Sequence, residues 1–254
     1  MTTATSRDRR MLRHMWSHRS SVHRRAVKLY NRAAEHIPNR FKYNAATLAR
    51  RKRLMPYSLI TPTSITVQVG APSDTLQSGR SRGFTFASLT AGGGTTIIVE
   101  PDAASAKMFE SLATERSFDH VSVHAVAATS ESGELELMID PEHRATNFIE
   151  GRVDYEAEER QRFESVVVPA RRLDEILDQE GIDHIDVLSV TTNGAETEIL
   201  QGAGDWLAKT RYVALAATGD ATGEDLPALL SEYGFAFESF DDRGFTYRNP
   251  ALVL

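Results

Sequence analysis

The stretch Leu188-Ser189-Val190-Thr191-Thr192-Asn193-Gly194-Ala195-Glu196 passes from apolar residues through three neutral polar ones into the start of a helix. Ile185–Val190 before it is short and mostly apolar, with Ile185, Val187, Leu188 and Val190, which predicts a buried strand. Residues 195–208 after it carry helical spacing. A buried strand running directly into a helix is the unit of a parallel sheet. The carboxyl end of such a strand is where an open α/β sheet binds its ligands, yet Thr191, Thr192 and Asn193 carry no charge.

The same alternation extends in both directions. Strands are predicted at Ile65–Val69, Thr95–Glu100, His120–Ala127, Leu135–Ile139, Val166–Val168 and Tyr212–Ala216, with helices at Ala103–Arg116, 172–180 and 224–233. Phe235–Phe240 and Phe245–Tyr247, joined by Asp241-Asp242-Arg243-Gly244, predict a terminal antiparallel hairpin. The implied fold is α/β: a doubly wound, mostly parallel sheet with helices on both faces, closed by that hairpin. Residues 140–165 are charged and irregular, with Glu142, Glu150, Glu156, Glu158 and Glu159 and few apolar anchors. They read as an insertion covering the strand ends.

Charge divides the chain. Residues 1–56 hold 15 Lys/Arg against Asp8 and Glu35, a net of +13, whereas the remainder holds 14 basic and 33 acidic residues, a net of −19. The expected organisation is a basic helical arm over 1–56, with helices near 9–36 and 44–53, followed by one α/β domain over 57–254. In the first helix an apolar stripe (Met11, Met15, Val22, Ala26, Leu29, Ala33) runs beside Arg13, Arg19, Arg24, Arg25 and Arg32. Such a helix suits an anionic membrane surface, or a contact with the main domain or a second copy. Nucleic acid is the least favoured partner, because no recognition motif accompanies the charge.

Several chemistries are excluded. The chain has no cysteine, so disulfides, thiolate metal sites and cysteine nucleophiles are ruled out. The eight His residues show no metal-ligand spacing, and no phosphate-binding loop or Ser nucleophile-elbow motif occurs. No apolar run is long enough to span a bilayer and the Arg-rich start lacks a signal-peptide core, which predicts a cytoplasmic protein, at most attached to the inner membrane surface.

Two strand ends carry candidate ligand contacts. Gly70 in "VQVGAPSD" (Val67–Asp74) permits close backbone approach, and Glu100 in "VEPD" (Val99–Asp102) is a carboxylate at the second strand tip, suited to both hydroxyls of a ribose. Together with "AATSESGELEL" (Ala127–Leu137), "RRLDEIL" (Arg171–Leu177) and "SVTTNGAE" (Ser189–Glu196), their order resembles the FkbM family of S-adenosylmethionine (SAM)-dependent methyltransferases over about Ile65 to Phe240. The resemblance implies a Rossmann-like class I methyltransferase fold, SAM as cofactor and a glycan or small-molecule oxygen as acceptor. It implies cofactor contacts by Gln68, Gly70, Ala71, Glu100, Asp102, Ser130 (at an adenine-binding acid of the family) and Thr191, and an acceptor contact by Asn193; Asn147 is a further acceptor candidate from its place in the 140–165 insertion.

The departures from that family all run one way. Gln68, Ser130, Thr191 and Asn193 stand where it has acids, and Ser189 where it has lysine; each swap removes a charge and keeps a hydrogen-bonding group. Thr191 and Asn193 cannot act as general bases. For a hydroxyl acceptor a base must come from Asp74, His143, Glu196 or His124. Each has a structural reading beside the catalytic one: Asp74 as a helix cap, Glu196 in a first helical turn, His124 packed along a strand, and His143 with Asn147 in a solvated loop. A non-catalytic protein of the same fold, acting through its basic arm as a binding or scaffold module, is the alternative to an enzyme.

Overall fold

The computed structural model describes residues 29, 33, 34, 36–153, 155–216, 226–240 and 244–253. Its strands are β1 (Ile65–Val69), β2 (Thr95–Val99), β3 (Val121–His124), β4 (Ala127–Thr129), β5 (Gly133–Ile139), β6 (Phe148–Ile149), β7 (Glu164–Arg172), β8 (Ile185–Val190), β9 (Thr210–Ala216), β10 (Ala236–Phe240) and β11 (Gly244–Arg248). Its α-helices among the described residues are α1 (Asn39–Lys42), α2 (Ala45–Arg51), α3 (Ser73–Gln77), α4 (Arg82–Leu89), α5 (Ala103–Glu115), α6 (Ala157–Arg160), α7 (Leu173–Leu177), α8 (Glu196–Gly202) and α9 (Leu226–Glu232).

Seven strands form one sheet in the order β10-β11-β9-β8-β1-β2-β3. The run β3-β2-β1-β8-β9 is parallel, and β11 joins β9 antiparallel, with β10 paired antiparallel outside it. This is the doubly wound sheet and terminal hairpin expected from the periodicity. All six residues of β8 are buried, as an apolar strand covered on both faces must be. One face carries a large core built on Val67, Ile97, Leu188, Ile176 and Leu200; the other packs Phe84 and Phe109 over Ile98.

The expected strand His120–Ala127 divides instead. β3 ends at His124 in the main sheet, and β4 starts at Ala127 in a second sheet ordered β4-β7-β5-β6. The segment expected to be irregular over 140–165 contains β6, α6 and the first residues of β7. β7 runs nine residues antiparallel to β5, far beyond the three predicted at Val166–Val168, since its partner strand supplies the order that its own mixed sequence does not signal. Gly202 makes the joint between the sheets: a Cβ there would lie 1.9 Å from the Thr129 carbonyl, so α8 and β4 can touch only through glycine.

The helix expected over 9–36 lies, apart from a few positions, outside the described residues, as does the turn Asp241–Arg243. The later part of the basic segment packs on the sheet. The Tyr43 hydroxyl donates to the Leu76 carbonyl and accepts from Ser81 N–H, both at 3.2 Å, with its ring 4.5 Å from that of Phe84. No described helix is long and apolar enough to cross a membrane.

Candidate active site

The strand order reverses at β1, which pairs with β2 on one side and β8 on the other. That switch point opens a crevice at the carboxyl ends of the strands. Backbone bonds close its floor: Gly70 N–H donates to the Val99 carbonyl and Thr191 N–H to the Val69 carbonyl, each at 2.9 Å. Gly70 has φ +84°, and a Cβ on it would meet the Thr191 carbonyl oxygen at 2.6 Å. Both the backbone angle and the contact demand glycine.

The neutral strand ends have a physical reason. Gln68 Nε2 donates to the carbonyls of Val69 (2.9 Å) and Gly70 (2.7 Å) and to Thr191 Oγ1 (2.7 Å), while Thr191 Oγ1 donates to the Gly70 carbonyl at 2.9 Å. Asn193 Nδ2 donates to the carbonyls of Ala145 (3.0 Å) and Asn147 (2.7 Å). Every partner is an acceptor. An ionised carboxylate at position 68 or 193 has no proton to give and would face carbonyl oxygens in a buried place. The amides turn these positions into donors that seam β1 to β8 and hold the 140–153 loop down.

Charge enters the crevice from other elements. Glu100, 4% exposed, accepts from Ala71 N–H at 2.5 Å and from Asp102 N–H at 2.9 Å. Burial pushes its carboxyl up to about 7, with Asp102 and Asp74 adding to the rise and the two N–H bonds opposing it. Asp102 caps α5 through Ala104 N–H (3.2 Å) and accepts from Ser105 Oγ (2.6 Å) and Arg144 Nη1 (2.5 Å). Asp74, in α3, accepts from His143 Nδ1 at 2.6 Å. Beneath β8, Arg82 Nη1 lies 3.3 Å from Ser189 Oγ, with the whole side chain 2% exposed. A cation thus sits beside the serine that replaces the lysine of the resembled family.

A cavity of about 60 Å³ lies between the strand ends and the second sheet. Gly70, Glu100 and Thr191 line it together with Ala128, Leu137 and Phe148, and Arg144 and Asn147 enter its wall from the loop before β6. Residues 68–245 match the model of the methyltransferase FkbM domain.

The chain belongs to the FkbM family.

Its fold is similar to that of the methyltransferase FkbM from Methylobacillus flagellatus, at 14% identity and a TM-score of 0.51, covering 78% of this chain and 47% of that one. The chain thus spans about half the length of that FkbM protein. A SAM-dependent methyltransferase from Aquifex aeolicus aligns over 83% of this chain and 90% of its own at 7% identity and a TM-score of 0.40. The fibrillarin pre-rRNA processing protein of Methanococcus jannaschii aligns over 82% and 75% at 13% identity and 0.41. No curated protein matches significantly.

Of the cofactor and acceptor residues suggested by the sequence, Gly70, Glu100, Thr191, Asn147 and Asn193 line the cavity together. Gln68, Ala71 and Asp102 lie behind them, bonded to backbone and to one another's neighbours as described. Ser130 does not line it; its carbonyl accepts from Arg172 Nη1 at 3.1 Å. Asp74 and His143, weighed singly in the sequence, form one pair. Glu196 is the first residue of α8 and 2% exposed, in keeping with a place at the positive end of the helix. His124 pairs with Glu180 at 2.7 Å. Sequence reasoning missed Arg82 and Arg144. Arg82 is the one charged residue of α4, ahead of Phe84 and Phe86, a signal that could have marked a buried cation; Arg144 carries no such signal. Among the described residues no acid–histidine group could hold a metal ion.

Proposed function

We propose that this FkbM-family methyltransferase transfers a methyl group from SAM to a hydroxyl of a glycan or small molecule. The pairing of Asp74 with His143 carries the reading, because it supplies the base that the neutral Thr191 and Asn193 cannot. The residues present suit the cofactor: Glu100 is a cavity-lining carboxylate at the tip of β2, beside the Gly70 turn at the tip of β1. SAM, when bound, supplies an electrophilic methyl group. Glu100 holds a ribose through lone pairs not used by Ala71 and Asp102 N–H.

With Nδ1 held by Asp74, the Nε2 of His143 is the atom that would take the acceptor's hydroxyl proton. Asp74 fixes the ring and stabilises the imidazolium that results. The loop bearing His143 also shields the crevice from water. The oxygen acceptor rests on the family resemblance.

Calorimetry of SAM and S-adenosylhomocysteine on the purified full chain, followed by methyl transfer to a panel of hydroxyl acceptors, tests this. His143→Gln is expected to keep S-adenosylhomocysteine affinity within about threefold and to lower turnover by about 10²–10⁴. Unchanged turnover removes His143 as the base. Absence of cofactor binding leaves the non-catalytic binding module.

A further inference from the structure

Arg144 brings a positive charge into the wall of the cavity and uses only part of it there. It is the one Lys or Arg among the described residues that line the space, and Glu100 is the one acid. A guanidinium carries five N–H donors, and a carboxylate in fork geometry takes two of its nitrogens at once. Asp102 does not provide that fork. Its Oδ1 accepts from Ala104 N–H at the start of α5, and its Oδ2 is shared between Ser105 Oγ and Arg144 Nη1. The ion pair is therefore made at one nitrogen. Arg144 Nε and Nη2 have no hydrogen-bond partner among the described residues and neither is buried; the side chain as a whole is 25% exposed. These two nitrogens form one edge of the planar group.

The residue that carries this edge is held in place. Arg144 opens a short 3-10 turn, Arg144–Thr146, closed by Thr146 N–H donating to the His143 carbonyl at 2.9 Å. Asn193 Nδ2 holds the next carbonyl, that of Ala145, at 3.0 Å. A ligand meeting Arg144 has little new structure to order, which favours affinity. The charge around it selects the ligand. Residues 57–254 carry a net −19, a field that repels anions. Inside the cavity the balance is different, because the buried Glu100 carboxyl keeps its proton up to about 7. Below that pH Arg144 is the one ionised group lining the space. A neutral hydroxyl would use one donor and leave the charge unmatched, whereas an oxyanion takes both nitrogens in parallel.

We infer that the open edge of Arg144 is an oxyanion site, which binds a carboxylate or phosphate group through Nε and Nη2. Two ligands of the proposed reaction can bring such a group: the cofactor, through its methionine carboxylate, or an acceptor that is itself acidic. Both sources rest on the SAM reading above; the cation and its open edge do not.

Calorimetry on the full chain compares S-adenosylhomocysteine with its decarboxylated analogue in wild type, Arg144→Gln and Arg144→Lys. Inorganic phosphate is then titrated into each cofactor-loaded protein at constant ionic strength. If the anion is the cofactor's, decarboxylation is expected to weaken binding to wild type about tenfold to a hundredfold, and to Arg144→Gln less than about threefold. If it is the acceptor's, decarboxylation changes both proteins by the same factor, and phosphate binds wild type about tenfold more tightly than Arg144→Gln. Arg144→Lys, which keeps the charge without the fork, is expected to fall between the two in either arm, and melting temperatures check that both variants fold. A purely structural role would weaken both nucleosides alike and leave phosphate indifferent to the variant. That result overturns the inference and leaves the SAM reading intact. If wild type binds neither nucleoside, the SAM reading falls and phosphate on the unloaded chain decides alone. Uptake that Arg144→Gln removes upholds the site; uptake that is absent or unaltered overturns it.

Discussion

Gln68 Nε2 lies 2.7 Å from Thr191 Oγ1, joining β1 to β8 at the point where the strand order reverses. The contact is buried at the glutamine and continues through both residues to the Gly70 carbonyl. It is a seam made of donors and acceptors alone, and it needs the amide.

Gln68→Glu should therefore destabilise the domain at neutral pH by about 2–3 kcal/mol, because it places a carboxylate against three acceptors. The loss should shrink on acidification, since a protonated glutamic acid regains one donor. Thr191→Ala should cost only about 1 kcal/mol. Urea unfolding at two pH values checks both; a Gln68→Glu loss that does not vary with pH would count against the seam.

Asn193→Asp removes both donors that hold the Ala145 and Asn147 carbonyls without changing side-chain size. Residues 143–149 should exchange their amide hydrogens faster, and limited proteolysis should cut between 140 and 153 sooner than in wild type. Bound S-adenosylhomocysteine should slow both in wild type. Equal protection in the two proteins would show that the Asp74–His143 and Asp102–Arg144 pairs suffice to hold the loop.

Glu100 sets a pH dependence whose sign follows from its raised pKa. The folded protein keeps a proton on this carboxyl up to about 7, whereas the unfolded chain loses it near 4.5, the ordinary value for a glutamate. Stability from this group is fully present below the unfolded value and is lost as pH rises through about 7. The span corresponds to an upper limit of about 3 kcal/mol. Glu100→Gln, neutral throughout, should flatten the stability profile across that window in denaturant titrations. In binding above about pH 7, where the carboxyl is ionised, Glu100→Ala should weaken SAM about tenfold to a hundredfold, the loss of charge-assisted hydrogen bonds to a ribose.

The basic segment yields a separable expectation. Residues 1–35 carry a net +7, ahead of Tyr43, whose ring and hydroxyl anchor the following stretch. Deleting 1–35 should leave the melting temperature nearly unchanged, while Tyr43→Ala should lower it. If the segment contacts an anionic surface, the deletion should abolish sedimentation with acidic-lipid vesicles or change oligomeric state, and salt should weaken the same contact in the full chain. A deletion that alters neither property removes both versions of the arm's role.

The alternation of β1, β2, β8 and β9 with helices, the glycine and glutamate at the first two strand tips and the β10–β11 hairpin were legible in the residues themselves. Each is signalled locally, by periodicity, by turn chemistry or by a residue type at a strand end. The second sheet was not, because β5 and β7 are ordered by each other rather than by their own patterns. Nor was the work of the neutral residues legible. Gln68, Thr191 and Asn193 read as a site stripped of charge, and only their partners show them to be donors to backbone carbonyls. The charged side chains that line the cavity are Glu100, at the tip of β2, and Arg144, which Asp102 holds from 42 residues away. Composition sets which side chains can donate, accept or ionise. Whether each one meets an acceptor, a cation or a buried void depends on chain segments brought together by packing, and that only the tertiary structure decided.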